Sequence, residues 1–131
     1  MTVKKLPLYI LAFVLVGCDS TFDPNPFNRV FLRVFNNSDY HFENVMVNSV
    51  SFGTVAKYSF SEYRPFDIAY HYGAVSLRIA GKLFQIIPID YVGETPLSGG
   101  FYTYMLSVDF EAGYLALTFF EGDNLPGQPQ N

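Results

Sequence analysis

The segment FYTYMLSVDF, residues 101–110, decides the fold class because its side chains alternate between apolar and polar with a period of two. Successive side chains of a β-strand point to opposite faces, so this alternation predicts a strand with one buried face. The last three residues before Tyr114 are turn formers and lead into a predicted final strand, Tyr114 to Glu121. The buried face is expected to carry Tyr102, Tyr104, Leu106, Val108 and Phe110, with Thr103, Ser107 and Asp109 opposite.

The same period recurs upstream, with turn-forming residues between the segments. Strands are predicted over residues 29–35, 42–50, 68–80 and 83–89, and a short one over 55–60. Turn signals are Asn36-Asn37-Ser38-Asp39, Gly53 as the end of the second strand, and Ala80-Gly81-Lys82 as a tight hairpin. The side chains expected in the core are Val30, Leu32, Val34, Val45, Val47, Val75, Leu77, Ile79, Tyr104, Leu106, Val108, Leu115 and Leu117.

The length and composition fit one folded domain. The 131 residues are 50% hydrophobic, 18% aromatic and 15% charged, which is unlike a disordered chain. We predict an all-β domain over residues 29–123, with six or seven strands in two stacked antiparallel sheets, immunoglobulin-like in the broad sense. A closed small barrel is the alternative. Residues 18–28 are expected to form a tether, and residues 124–131 a disordered tail.

A short motif supports the sandwich. Residues 96–104, PLSGGFYTY, resemble the leucine, glycine and tyrosine entry to a strand in prealbumin-like and immunoglobulin-like sandwich domains. The glycines allow a sharp crossover, and a following tyrosine can hydrogen-bond back to that corner. The resemblance implies a fold and carries no function.

The first 17 residues have the layout of an export signal. Lys4 and Lys5 precede an apolar run from Leu6 to Val16, as in the charged and apolar regions of such a signal. The eleven residues of this run would rise about 16 Å as a helix, whereas a bilayer core takes about 20 residues to cross. The run therefore predicts a cleaved signal peptide rather than a permanent transmembrane helix.

The residues that end this signal point to lipidation. Leu15-Val16-Gly17-Cys18 resembles the lipobox of bacterial lipoproteins, in which a Leu, a variable small residue and a Gly or Ala lead into the cysteine. The resemblance implies a diacylglyceryl thioether on Cys18, cleavage before it, and acylation of the new amine, for example by palmitate. Two alternatives stay open: a buried structural cysteine, and ordinary cleavage after Ser20.

The expected location is therefore the bacterial cell envelope, with the membrane anchor on Cys18. Asp19 is a position that some envelope-sorting systems read, so the inner and outer membranes both stay open. Without residues 1–17 the chain has six basic and twelve acidic side chains, a formal charge of −6. Nucleic-acid binding requires clustered Lys and Arg, so no nucleic-acid partner is expected. Cys18 is the only cysteine, which excludes an intrachain disulfide.

Catalytic motifs are scarce. Asp90 and Glu94 could form a carboxylate pair for acid–base work or cation binding, but a solvated loop is the simpler interpretation. His41 and His71 are too few for a zinc site, which needs three or four ligands. No serine lies in a Gly-x-Ser-x-Gly elbow. We therefore expect no enzyme activity, no cofactor and no metal.

Aromatic residues are the remaining signal. The stretch from Tyr58 to Tyr72 holds six Tyr and Phe residues together with Arg64 and His71. Such rings could stack on sugars or anchor a protein, or they could simply fill the core. The sequence thus favours a non-enzymatic binding or structural module with an envelope protein or glycan as partner, over a small hydrolase or glycan-processing accessory that uses Asp90 and Glu94. The candidate contacts are Tyr63, Arg64, Asp90, Tyr91 and Glu94.

Overall fold

Two four-stranded sheets face each other in the computed structural model, which describes residues 29–89, 94–122 and 125. Sheet A has the strand order β4-β1-β7-β8, and sheet B has the order β3-β2-β5-β6. Within the described residues no helix is long and apolar enough to cross a bilayer. The strands are β1 (Val30–Asn36), β2 (Phe42–Val47), β3 (Val50–Val55), β4 (Arg64–Phe66), β5 (Val75–Ile79), β6 (Lys82–Ile86), β7 (Gly100–Asp109) and β8 (Tyr114–Glu121).

The predicted β-sandwich is confirmed, and so is the alternation that led to it. The predicted core side chains are buried between the sheets, except Val108 and Leu117, which are partly buried and pack against the core. Large rings complete the interior, as expected for a small domain that must bury much apolar surface. The buried residues that the pattern did not single out include Phe42, Phe52, Val55, Phe66, Ala69 and Phe84.

One pairing contradicts the antiparallel prediction. β1 and β7 run parallel over seven residue pairs, from Val30 opposite Gly100 to Asn36 opposite Leu106. A hairpin forces consecutive strands to be antiparallel, but β1 and β7 are separated by a passage through sheet B, so their relative direction is set by the topology. Sheet A is therefore mixed.

The strand boundaries predicted between residues 42 and 60 were wrong. The chain turns at Asn48 and Ser49, whose φ angles of 47° and 71° suit the left-handed two-residue turn of a hairpin. Gly53 lies inside β3, where the register with β2 shifts, and does not end a strand. Residues 56–60 form a turn, and Phe60 contacts sheet A through an isolated bridge to Phe35.

The strands after residue 60 also differ from the prediction. β4 was missed because it has three residues and contains Pro65, which lacks an N–H donor and is tolerated at a sheet edge. β5 begins at Val75, and residues 67–74 connect the sheets without strand structure. β6 ends at Ile86, three residues before the predicted end. Of the predicted tail 124–131 the structure describes Leu125, which is buried; the tether 18–28 lies outside the described residues.

The tyrosine that was expected to hydrogen-bond back to the strand entry does so. The Tyr102 hydroxyl donates to the Ser98 carbonyl oxygen at 2.8 Å. Gly100 has a φ of 152°, and a Cβ there would meet the Tyr102 hydroxyl oxygen at 3.6 Å. A side chain at position 100 would therefore strain the backbone, which explains glycine at this point.

Tyr102→Phe is expected to make the fold less sensitive to alkali. Burial, with a smaller contribution from the charge of Glu121, raises the pKa of Tyr102 above 10.0. The unfolded chain therefore loses this proton first, and stability falls as the pH rises above about 10. In the phenylalanine variant the loss of stability that comes from ionisation of Tyr102 is absent. At pH 7 the same variant is less stable by about 1 kcal/mol, because the hydrogen bond to Ser98 is lost. Urea unfolding between pH 7 and pH 11 measures both effects. The exposed control Tyr114→Phe should cost less than about 0.5 kcal/mol at pH 7, and an unchanged pH dependence in Tyr102→Phe would contradict the assignment.

Candidate functional site

The outer face of sheet A carries large side chains where a solvent-facing sheet usually carries polar ones. Because β1 alternates, Phe31, Arg33 and Phe35 face away from the buried Val30, Leu32 and Val34. The parallel register places Phe101 beside Phe31, and Thr103 beside Arg33.

The segment before β4 lies along this face. Ser61 fixes it, because its amide donates to the Val34 carbonyl oxygen and its hydroxyl oxygen accepts from the Val34 amide, each at 2.8 Å. These bonds hold Phe60 and Tyr63 against the outer side of the sheet. We call the resulting cluster the Arg33 face, and it consists of Phe31, Arg33, Phe35, Phe60, Tyr63, Phe101 and Thr103.

Arg33 lies at the centre of the Arg33 face. Its guanidinium carbon is 3.8 Å from the centre of the Phe60 ring and 4.9 Å from that of the Tyr63 ring. Its Nε donates to Thr103 Oγ1 at 3.0 Å. Contacts between a guanidinium and ring faces contribute about 0.5–2 kcal/mol each, more where water is excluded. The arginine and rings cover Thr103, which is fully buried although it lies on the outer face.

The rings of the Arg33 face also contact one another. The Phe31 and Phe101 rings stack with centres 5.1 Å apart and an interplanar angle of 18°. Tyr63 meets the Phe101 ring edge-on at 5.1 Å, and the Phe35 and Phe60 ring centres are 4.6 Å apart. Phe101 is nevertheless 50% exposed. The face is thus ordered by internal contacts and still offers aromatic surface to a partner.

Of the predicted contact residues the structure describes Tyr63, Arg64 and Glu94, and Tyr63 and Arg64 lie on different sides of sheet A. Tyr63 belongs to the Arg33 face. Arg64 is exposed on β4 and pairs with Leu32 of β1. Because the Leu32 side chain points to the interior, Arg64 lies on the other side of sheet A from the Arg33 face. Glu94 is exposed in the loop before β7, and Asp90 and Tyr91 lie outside the described residues.

Sequence reasoning missed Arg33. Its signal was present, because the arginine occupies the outward position between two outward phenylalanines in FLRVF, residues 31–35. An arginine flanked at i−2 and i+2 by rings shares one sheet face with them. The later rings, Phe60 and Phe101, could not be assigned to that face without the pairing of distant segments.

The aromatic stretch from Tyr58 to Tyr72 divides among several environments. Phe66 is buried in the core, as one of the two interpretations predicted. Tyr58 is exposed, and the negative charge of Asp39 raises its pKa. His71 is exposed and packs against the Phe119 ring at 4.6 Å.

In residues 29–89 and 94–122 no three His, Cys, Asp or Glu side chains lie close enough to hold a metal ion. Three open grooves of about 290–420 Å³ contain one carboxylate among their lining residues, that of Asp67. Arg29 is 3.3 Å from this carboxylate in an exposed ion pair.

Comparison with known proteins adds no relative. No protein-family model matches the chain, and no curated protein matches it. The protein is therefore defined by its architecture, as a two-sheet β-sandwich with an arginine-centred aromatic patch on one outer face.

Proposed function

We propose that this protein is a lipoprotein of the bacterial cell envelope, anchored through Cys18, whose sandwich binds a partner protein through the Arg33 face without catalysing a reaction. The observation that carries the binding part is Arg33 held between two rings on a partly exposed sheet face. The lipobox-like residues 15–18 support the anchor.

The composition of the Arg33 face favours protein recognition. Tyr and Arg are enriched among the residues that dominate interface energies, and Phe is enriched in interfaces generally. The ring contacts and the bond from Arg33 to Thr103 at 3.0 Å hold these side chains in place before binding. A preformed surface loses less conformational entropy when a partner docks, which improves affinity.

The ring geometry favours a protein over a glycan. A sugar stacks on an open ring face, but Phe31 and Phe101 stack on each other and the Phe60 ring is covered by Arg33. The exposed part of the face includes Phe101, at 50%, and Arg33 is partly buried beside it. An ordered aromatic surface of this kind suits the apolar side chains of a protein.

Arg33→Ala is expected to weaken partner binding at least tenfold. Truncation of an interface hot spot costs about 2 kcal/mol or more, which exceeds one decade in Kd. The measurement begins with quantitative capture from envelope extract by the full lipidated chain, followed by titration of the purified partner. The matched control is Arg64→Ala, which removes an exposed arginine of the same sheet from outside the Arg33 face.

Two results would contradict this proposal. One is equal loss of binding in Arg33→Ala and Arg64→Ala, which would indicate a general charge effect. The other is saturable capture of a glycan by the wild-type chain with no protein partner. Thermal unfolding of each variant shows that the fold is retained, and Arg33→Lys separates charge from planar stacking, because lysine keeps only the charge.

A further inference from the structure

One end of the sandwich brings together the start of β1 and several loops. The Gly100 amide donates to the Arg29 carbonyl oxygen at 3.0 Å, which places the entry to β7 beside the entry to β1. Arg29 pairs with Asp67, and the Leu97 amide donates to the Ala69 carbonyl oxygen at 2.8 Å. The loop after β4 and the loop before β7 therefore meet beside Arg29, at the start of β1.

Sheet B reaches the same end. The Asn48 amide, in the turn between β2 and β3, donates to the Ala74 carbonyl oxygen at 2.8 Å. Asn48 also lines one groove with Asp67 and Ile68, and Ile87 lines another with Ala74. Ile68 and Ile87, from different loops, thus lie at one pole of the molecule.

This pole exposes apolar side chains that have no polar atom. Ile68 is 55% exposed, Ile87 is 71% exposed, and Ile89 is fully exposed. Phe101, at the start of β7 and beside Phe31, is half exposed at the rim of the same end. We call Ile68, Ile87 and Ile89 the isoleucine pole, and Phe101 stays part of the Arg33 face.

The opposite end of the sandwich has a different surface. Its exposed large side chains are the rings of Tyr40, Tyr58 and Tyr114, each with a hydroxyl group, and the apolar Leu83, which is 45% exposed. Charged side chains lie there as well, in the connecting loops and at the strand ends; they include Asp39, Lys57, Lys82, Asp109 and Glu111. At the isoleucine pole Arg29 and Asp67 pair with each other, Glu121 ends β8, and Glu94 lies three residues before Leu97.

The anchor site joins the domain at the isoleucine pole. Residues 19–28 separate Cys18 from Arg29, and ten residues span at most about 36 Å when fully extended. A lipid on Cys18 would therefore tether the domain to the bilayer from this pole.

We propose that the isoleucine pole is a membrane-contact surface, whose side chains enter the boundary between lipid headgroups and acyl chains. This inference rests on the proposed anchoring at Cys18. Exposed apolar patches at a membrane interface bind by burial of apolar area, and a tether makes a weak contact effective by raising its local concentration. Since the strands run from this pole to the other end, the contact holds the domain upright and leaves the Arg33 face accessible from the side.

A tryptophan reporter tests the contact, because the chain contains no tryptophan. Ile89→Trp places the single indole at the isoleucine pole, and Tyr114→Trp places it at a 64% exposed position near the opposite end. Each full-length lipidated variant is reconstituted in phosphatidylcholine vesicles with brominated acyl chains. We expect at least twofold quenching and a blue shift for the indole at position 89, and less than a tenth of that quenching at position 114.

The outcomes separate the contact from the anchor. If intact mass shows lipid on Cys18 and the protein floats with vesicles, but both indoles are quenched equally little, the contact surface is wrong and the anchor stands. If no lipid is found, the proposed function fails, and the same variants coupled through Cys18 to a maleimide phospholipid still test the pole. A blue shift of the indole at position 89 that grows with protein concentration without vesicles would assign the pole to self-association and overturn the proposal.

Discussion

Asn36→Ala should lower the free energy of unfolding by about 2–4 kcal/mol, a large fraction of the stability of a small domain. The Asn36 side chain is fully buried at the end of β1. Its Nδ2 donates to the Tyr40 carbonyl oxygen at 2.7 Å and to the Val55 carbonyl oxygen at 3.0 Å, while its Oδ1 accepts from Ser38 Oγ at 2.6 Å. Alanine removes all three of these hydrogen bonds. The bond to the Val55 carbonyl oxygen is buried, and the loss of a hydrogen bond costs most free energy where water cannot replace the missing partner.

Urea unfolding of the Asn36→Ala variant measures this effect as a drop in the transition midpoint. The matched control is Asn37→Ala at the next position, where the side chain donates to Ser107 Oγ at 3.2 Å in an exposed bond. That variant should lose less than about 0.5 kcal/mol, as surface substitutions usually do. Similar losses in the two variants would show that the buried network at Asn36 does not hold the first and third strands together.

Cys18→Ala should abolish lipid attachment entirely, the largest effect expected for any substitution in this chain. The thioether needs a thiolate nucleophile, and no other residue from Leu15 to Ser20 supplies one. In a bacterial host fed an alkyne analogue of palmitate, the wild-type chain should carry the label. The Cys18→Ala chain should carry none and appear as an uncleaved or soluble product, as measured by intact mass and fractionation.

The control for this experiment separates the two cleavage sites. Ser20→Leu places a large side chain where ordinary signal peptidase requires a small one, but leaves residues 15–18 unchanged. If the lipobox interpretation is correct, Ser20→Leu keeps the label and the cleavage before Cys18. A wild-type chain that begins at residue 21 without lipid, and a Ser20→Leu chain that stays uncleaved, would instead assign ordinary secretion.

The candidate site was harder to predict than the fold because its members come from distant parts of the chain. Tyr63 was selected from local composition and does lie in the Arg33 face. Arg64, the next residue, does not, because it begins β4 and pairs with Leu32, whose side chain points to the interior. Arg33 and Thr103 are 70 residues apart and meet through the parallel pairing of β1 with β7. No local pattern contains that pairing.

The sequence by itself determined the class of fold and the inward face of most strands, since a period of two is a local property of each segment and burial selects the apolar side. It also determined the hairpin at Ala80-Gly81 and the bond from Tyr102 to Ser98, because these contacts span a few residues. The tertiary structure alone decided the parallel direction of β1 and β7, the addition of the short β4 edge, and the burial of Asn36 and Thr103. Each of these depends on which distant segments become neighbours, and polar residues such as Asn36 and Thr103 are stable in the interior only when those neighbours supply their hydrogen bonds.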